Sequence, residues 1–174
     1  TRSDRNAGQP GADTNPADLD LIESTSTTLY GGADSITSGA GSDLIIGGRY
    51  GDTITANAGN NLVIGDSGRI TAAVSNAAQQ LSGIPMTLGL VETITFGDGG
   101  ADRIATLGGT DIVLGGHEGD IITVGEGNNL VLGDDGVIDY TRSDRNAGQP
   151  GADINPSDLD LVESTSTDYA GGAD

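Results

Sequence analysis

The chain has 174 residues, of which 30 are glycine and none is cysteine or lysine, and it carries a net charge of −19 from 21 aspartates and five glutamates against seven arginines. Six aromatic or methionine side chains in all (Tyr30, Tyr50, Phe96, Tyr140, Tyr169, Met86) exclude a large aromatic core, and the missing cysteines exclude disulfide staples. So acidic a surface repels phosphate backbones, which argues against a nucleic-acid partner, and no apolar run approaches the ~18 residues of a membrane-spanning helix.

Residues 1–30 combine a polar loop with the alternating run LDLIESTSTTLY, the pattern of a half-buried strand. Residues 31–66 then repeat in nines. A polar residue returns at Asp34, Asp43, Asp52 and Asn61, followed two places on by Ile36, Ile45, Ile54 and Val63. A glycine stands one or two places before each polar residue (Gly32, Gly41, Gly51, Gly59). Residues 67–98 leave this phase, with GRITAAVS and TLGLVETITF predicted as two strands around a soft middle; TAAVSNAAQQL is alternatively a short helix. The nines return at 99–134, 68 residues after the first set, as Asp102, Asp111, Asp120 and Asn129 with Ile104, Val113, Ile122 and Val131. Residues 135–170 repeat the off-phase plan, and 171–174 begin another block. Nine-residue periodicity of this kind predicts an all-β parallel β-solenoid with strand–loop–strand insertions.

These residues resemble the haemolysin-type calcium-binding repeat G-G-x-G-x-D-x-U-x of the RTX proteins. Residues 39–46 (GAGSDLII), 47–55 (GGRYGDTIT) and 115–123 (GGHEGDIIT) carry the similarity best, and it extends over about eight nonapeptides, less than half the chain. The resemblance implies a parallel β-roll in which the Gly/Asp half of each repeat turns, the x-U-x half is a strand, and two repeats complete one coil. It also implies calcium at the aspartates, and export (type I secretion) of a chain that folds outside the cell. Carried over by position, the ligands are Asp34 with Asp52 and Asp102 with Asp120 on one edge, and Asp43 and Asp111 on the other. There Asn61 and Asn129 replace aspartate and are expected to bind weakly or not at all. Plain Asp and Asn turns account for the same residues without a metal.

Chemistry favours a hard cation at such a register. Calcium takes six to eight oxygen ligands, many of which backbone carbonyls can supply. Carboxylates stacked one coil apart lie within ~5 Å of each other, where a shared cation turns repulsion into attraction. The loop Asp153, Asn155, Asp158, Asp160 lacks the EF-hand spacing and reads better as a solvated turn.

The residues flanking each inward side chain point out of the roll. In alternate repeats they are apolar: Leu44, Ile46, Leu62, Ile64, Ile112, Leu114, Leu130 and Leu132. All eight fall on one sheet, which must be covered by the off-phase hairpin or by a neighbouring chain. One block alone buries too little to fold, at ~25 cal/mol per Å² against the ordering of its backbone.

Residues 1–34 recur at 141–174 with six differences, so the chain is one 140-residue period and the start of the next, built of half-units of 68 and 72 residues. No signal-peptide pattern opens it. Enzyme chemistry is not expected: Gly65-Asp66-Ser67-Gly68 suggests a serine nucleophile, yet its second copy reads Gly133-Asp134-Asp135-Gly136, and His117 is the only histidine. The expectation is a calcium-stabilised structural segment of a long secreted bacterial surface protein, forming a filament, stalk or matrix. Its partners would be neighbouring repeats or other copies, with a cell-surface or matrix ligand as a further possibility. A sugar-, ice- or cell-binding adhesin is the alternative, although only Thr53/Thr55 supplies an outward Thr-x-Thr rank. The calcium-binding tail of a toxin or enzyme fits the long period less well.

Overall fold

The computed structural model describes residues 19–25, 30–73, 79–141, 156–166 and 172. Among these residues the chain is all-β, with no helix. Thirteen strands follow in order: β1 (Leu21–Glu23), β2 (Ser35–Thr37), β3 (Leu44–Ile46), β4 (Thr53–Ala56), β5 (Leu62–Ile64), β6 (Gly68–Ala72), β7 (Leu88–Thr93), β8 (Arg103–Thr106), β9 (Ile112–Gly116), β10 (Ile121–Thr123), β11 (Leu130–Asp134), β12 (Gly136–Asp139) and β13 (Leu161–Ser164). Residues 71–72 of the segment read alternatively as a helix belong to β6, and residues 74–78 lie outside the described residues.

The nonapeptides supply two parallel four-stranded sheets, ordered β2-β4-β8-β10 and β3-β5-β9-β11. The chain passes from one to the other and back, so each pair of repeats makes one circuit. Pairing keeps the apolar residues of successive circuits in line, with Ile36 beside Ile54, Ile54 beside Ile104, and Ile104 beside Ile122. Between the two sheets Ile45, Ile54, Val63, Ile104 and Val113 form a narrow core, with Ile36 and Ile122 partly buried against it.

The two blocks form one stack. Thr53 of β4 pairs with Arg103 of β8, and Leu62 of β5 with Ile112 of β9, each across 50 residues. The intervening strands β6 and β7 leave sideways and return the chain to its starting edge. They join β1, β12 and β13 in a third, antiparallel sheet ordered β1-β6-β7-β12-β13.

That antiparallel sheet lies over the apolar outer face of β3-β5-β9-β11. Leu62, Ile64, Ile112 and Leu114 are fully buried there against Ile70, Leu88, Val91 and Ile138, with Leu44, Ile46, Leu130 and Leu132 partly buried at either end. Of the two coverings open at the level of sequence, the off-phase hairpins are the one found. Leu81, Ile84 and Met86, from the stretch between β6 and β7, close the same core.

Candidate metal-binding rims

Each circuit turns at two rims, and the polar residue of every nonapeptide sits at one of them. On the first rim a single ladder of hydrogen bonds runs through all four aspartates. The Asp34 N–H donates to Asp52 Oδ1 at 2.7 Å, the Asp52 N–H to Asp102 Oδ1 at 2.6 Å, and the Asp102 N–H to Asp120 Oδ1 at 2.8 Å. The pairs Asp34/Asp52 and Asp102/Asp120, implied by the resemblance, lie one circuit apart. The middle rung, Asp52 to Asp102, spans the insertion and has no counterpart in the sequence pattern.

The second rim carries the matching ladder. The Asp43 N–H donates to Asn61 Oδ1 at 3.2 Å, the Asn61 N–H to Asp111 Oδ1 at 2.9 Å, and the Asp111 N–H to Asn129 Oδ1 at 3.0 Å. One carboxylate or amide oxygen thus holds the backbone of the preceding circuit throughout. The rims differ in the second atom of each side chain. Asn61 Nδ2 donates to the Asn57 and Gly59 carbonyls at 3.0 and 3.3 Å, and Asn129 Nδ2 to the Gly125 carbonyl at 2.9 Å. An amide nitrogen, carrying partial positive charge, fills the turn.

On the aspartate rim the same position is an oxygen. Asp52 Oδ2 and Asp102 Oδ2 are buried with no hydrogen-bond partner, as are Asp43 Oδ2 and Asp111 Oδ2 on the other rim. A Cβ placed on Gly47 would collide with both Asp52 Oδ2 and the Gly65 carbonyl oxygen. One circuit on, a Cβ on Gly65 would meet Asp102 Oδ2 and the Gly115 carbonyl; on Gly115 it would meet Asp120 Oδ2 and the Gly133 carbonyl. Carboxylate and carbonyl oxygens therefore converge on a space that glycine keeps open, once per circuit. Oxygen-only donors with negative charge suit a hard divalent cation. No group of three or more His, Cys, Asp or Glu side chains that could hold a metal occurs among the described residues, so any ligand set here draws on backbone carbonyls.

A family model for the RTX calcium-binding nonapeptide repeat matches the chain in four copies, over residues 28–49, 37–69 and 96–131. The chain carries RTX repeats. Calcium is the cation that this family binds, and the donor set of the aspartate rim fits it. No curated protein and no solved structure matches the chain.

Sequence reasoning about the RTX repeats missed two features of the rim. Gly47, Gly65 and Gly115 were not singled out, although the first glycine of G-G-x-x-G-D stands five places before Asp52 and Asp120 and carries that signal. Asp66 enters the sequence reading only as the neighbour of Ser67 in Gly65-Asp66-Ser67-Gly68. It lies where the chain leaves the second parallel sheet, and its carboxylate accepts the Gly100 N–H at 3.0 Å, where the insertion re-enters, and the His117 N–H of the next circuit. Nearby, Arg49 pairs with Asp98 at 3.2 Å and lies over the Tyr50 ring. Asp153 and Asn155 of the polar loop lie outside the described residues, while the Asp160 N–H donates to the Asp139 carbonyl at 3.0 Å.

Burial dominates the electrostatics of this corner. It raises Asp66 from 3.8 to about 8, helped by the charges of Asp102 and Asp120 and opposed by its two N–H donors. Burial likewise raises Asp102 to about 7, against the Asp52 N–H and with the charges of Asp120 and Asp52. Asp52 is raised for the same leading reason. Raised carboxylates bind more protons folded than unfolded, so stability contributed by protonation is greatest at low pH and is lost as pH rises to the folded values. In calcium-free buffer the fold should therefore gain stability on acidification from pH 8 towards pH 5, the window between the folded values about 7 and 8 and the ordinary 3.8. Far-UV circular dichroism of the calcium-free protein across that range measures it as a regain of β signal towards pH 5, and a flat or opposite trend contradicts it.

Proposed function

We propose that this chain is a calcium-stabilised structural segment of a long, secreted bacterial surface protein, wound as a parallel β-roll and serving as filament, stalk or matrix. The observation that carries the reading is the repeated cradle on the aspartate rim, where a buried carboxylate oxygen without a hydrogen-bond partner meets a glycine carbonyl. Such a site is costly when empty, because a buried charge lacks compensation, and favourable when a divalent cation enters. The function of the metal is then charge neutralisation. In low-calcium surroundings the acidic chain stays open; at the millimolar calcium found outside cells, sites with Kd of ~10⁻⁴–10⁻³ M fill and the circuits close.

Support for a structural rather than catalytic role comes from repetition. The same donor set recurs at each circuit, whereas His117 stands at one turn alone, and Ser67 is buried in the crossing from β5 to β6. RTX repeats are typical of secreted bacterial proteins, which supports an extracellular setting. Far-UV circular dichroism tests the proposal directly. The β signal is expected to collapse when EGTA removes calcium and to return when millimolar calcium is restored. A spectrum indifferent to both would refute the calcium dependence.

A further inference from the structure

Among the described residues, both ends of the stack leave apolar side chains partly exposed. Inside it the inward residue is sealed, as Val113 is at 0 % exposure, but its counterpart in the last circuit, Val131, is 39 % exposed. Val162 of β13 is 37 % exposed on the same end. At the other end Ile36, Leu44, Ile46 and Ile22 are only partly buried. Repeat stacks that stop in water need a polar cap, and neither end has one among the described residues.

The joint that would cover these ends is already drawn in the antiparallel sheet. By the 140-residue repeat, β1 is the sequence equivalent of β13, one period earlier. Its pairing with β6 is therefore the contact between one period and the next. That pairing has the register of β7 on β12 inside the period: Ile22 opposes Ile70 as Val91 opposes Ile138, and Glu23 opposes Arg69 as Glu92 opposes Val137. Finer contacts agree. The Gly68 N–H donates to Ser24 Oγ at 3.2 Å, and the equivalent Gly136 N–H to Thr93 Oγ1 at 3.0 Å. The Ala72 N–H donates to the Asp20 carbonyl at 3.0 Å, and the Tyr140 N–H to the Gly89 carbonyl at 2.8 Å. Arg69 stands between Glu23 and Glu92, at 3.5 and 3.4 Å. Glu163, the equivalent of Glu23, is exposed on the outer strand β13.

The parallel sheets give an independent sign. Tyr50 and Glu118, 68 residues apart, adopt the same left-handed backbone with φ of 70° and 72°. Gly100, which begins the second block, packs against Tyr50 and Gly51 so closely that a Cβ would collide. Gly172, at the equivalent place in the following block, packs against Glu118 and Gly119 in the same way, and its N–H donates to the Glu118 carbonyl at 3.0 Å. The third block thus begins where a continuation of the stack requires.

We infer that the end formed by β10, β11 and β13 is a docking face for the next 140-residue period, which continues all three sheets in register. Ile121 lies beside Ser35 of the following period, Leu130 beside Leu44, and Val162 opposite Ile70, with Glu163 facing Arg69. Successive periods form one unbroken rod, and they do not pack side by side. The inference rests on the β-roll reading proposed above and adds the direction and register of its growth.

A tandem protein, residues 1–140 followed by 1–174, tests it. The chain has no cysteine, so engineered pairs report cleanly. Ile121→Cys in the first period with Ser35→Cys in the second is expected to form a disulfide in calcium at least tenfold faster than Ile121→Cys with Thr53→Cys of the second period, one circuit further away. Thr53→Cys with Arg103→Cys in one period is the internal standard. X-ray scattering should show the tandem longer than the single chain by four circuits, about 19 Å at the inter-strand spacing, at unchanged cross-section. If the internal pair closes and the joint pair does not, or if the cross-section doubles, the inference is wrong and the roll survives. If the internal pair also fails in calcium, both readings fall.

Discussion

Exchanging Asp52, Asp102 and Asp120 together for asparagine should free the first rim from calcium while making the calcium-free protein more stable. The second rim is the precedent. There Asn61 keeps the rung to the circuit before it through Oδ1 and uses Nδ2 to bind the Asn57 and Gly59 carbonyls. In the triple variant each amide Oδ1 can still accept the N–H of the preceding circuit, and each Nδ2 replaces an oxygen aimed at a carbonyl. Relieving the buried, uncompensated charges of Asp52 and Asp102 is worth on the order of 1–3 kcal/mol each. Far-UV circular dichroism in EGTA should show the variant keeping β signal that the parent loses, and isothermal titration should show loss of the calcium sites on this rim. Asp52→Ala separates the two functions of the side chain, because it removes the rung along with the charge and should destabilise the chain with or without metal. A triple variant that still needs as much calcium as the parent would rule out the cradles as the binding sites.

The rims also show how far a sequence of this kind can be read. Aspartates nine residues apart alternate between rims, and those eighteen apart stack, because two short strands and two turns complete one circuit. That much follows from the period taken together with the resemblance to RTX repeats. The rung from Asp52 to Asp102 does not, since fifty residues separate them and no period marks the join. It forms because β6 and β7 are antiparallel and hand the chain back to the edge that it left. Closing a longer loop adds little entropy cost, so the stack tolerates the excursion. Asp66 was illegible for a related reason. Its partners, Gly100 and His117, are neighbours only after the insertion has folded. The apolar face of Leu44 to Leu132 was legible as a surface needing cover; its cover was not, because hairpins and a neighbouring chain satisfy the same pattern.

That cover is the second place where a single side chain should matter greatly. Leu114 on β9 is fully buried between the second parallel sheet and the antiparallel one, in the cluster that includes Ile64, Ile70, Val91 and Ile138. Leu114→Ala removes three carbons from a site walled on both sides by strands, which cannot collapse to fill it, and should cost about 2–5 kcal/mol. Ile121→Ala is the matched control. Ile121 is also an outward flank of a nonapeptide strand, but it lies on the uncovered sheet, and its truncation should change stability by no more than about 0.5 kcal/mol. Urea unfolding of both variants in saturating calcium measures the difference. Equal effects would mean that the antiparallel sheet does not seal the roll. A large difference would mean that metal and hairpins act as separate supports: calcium neutralises the rim, while the hairpins bury the face that four strands per block leave too small a core to hide.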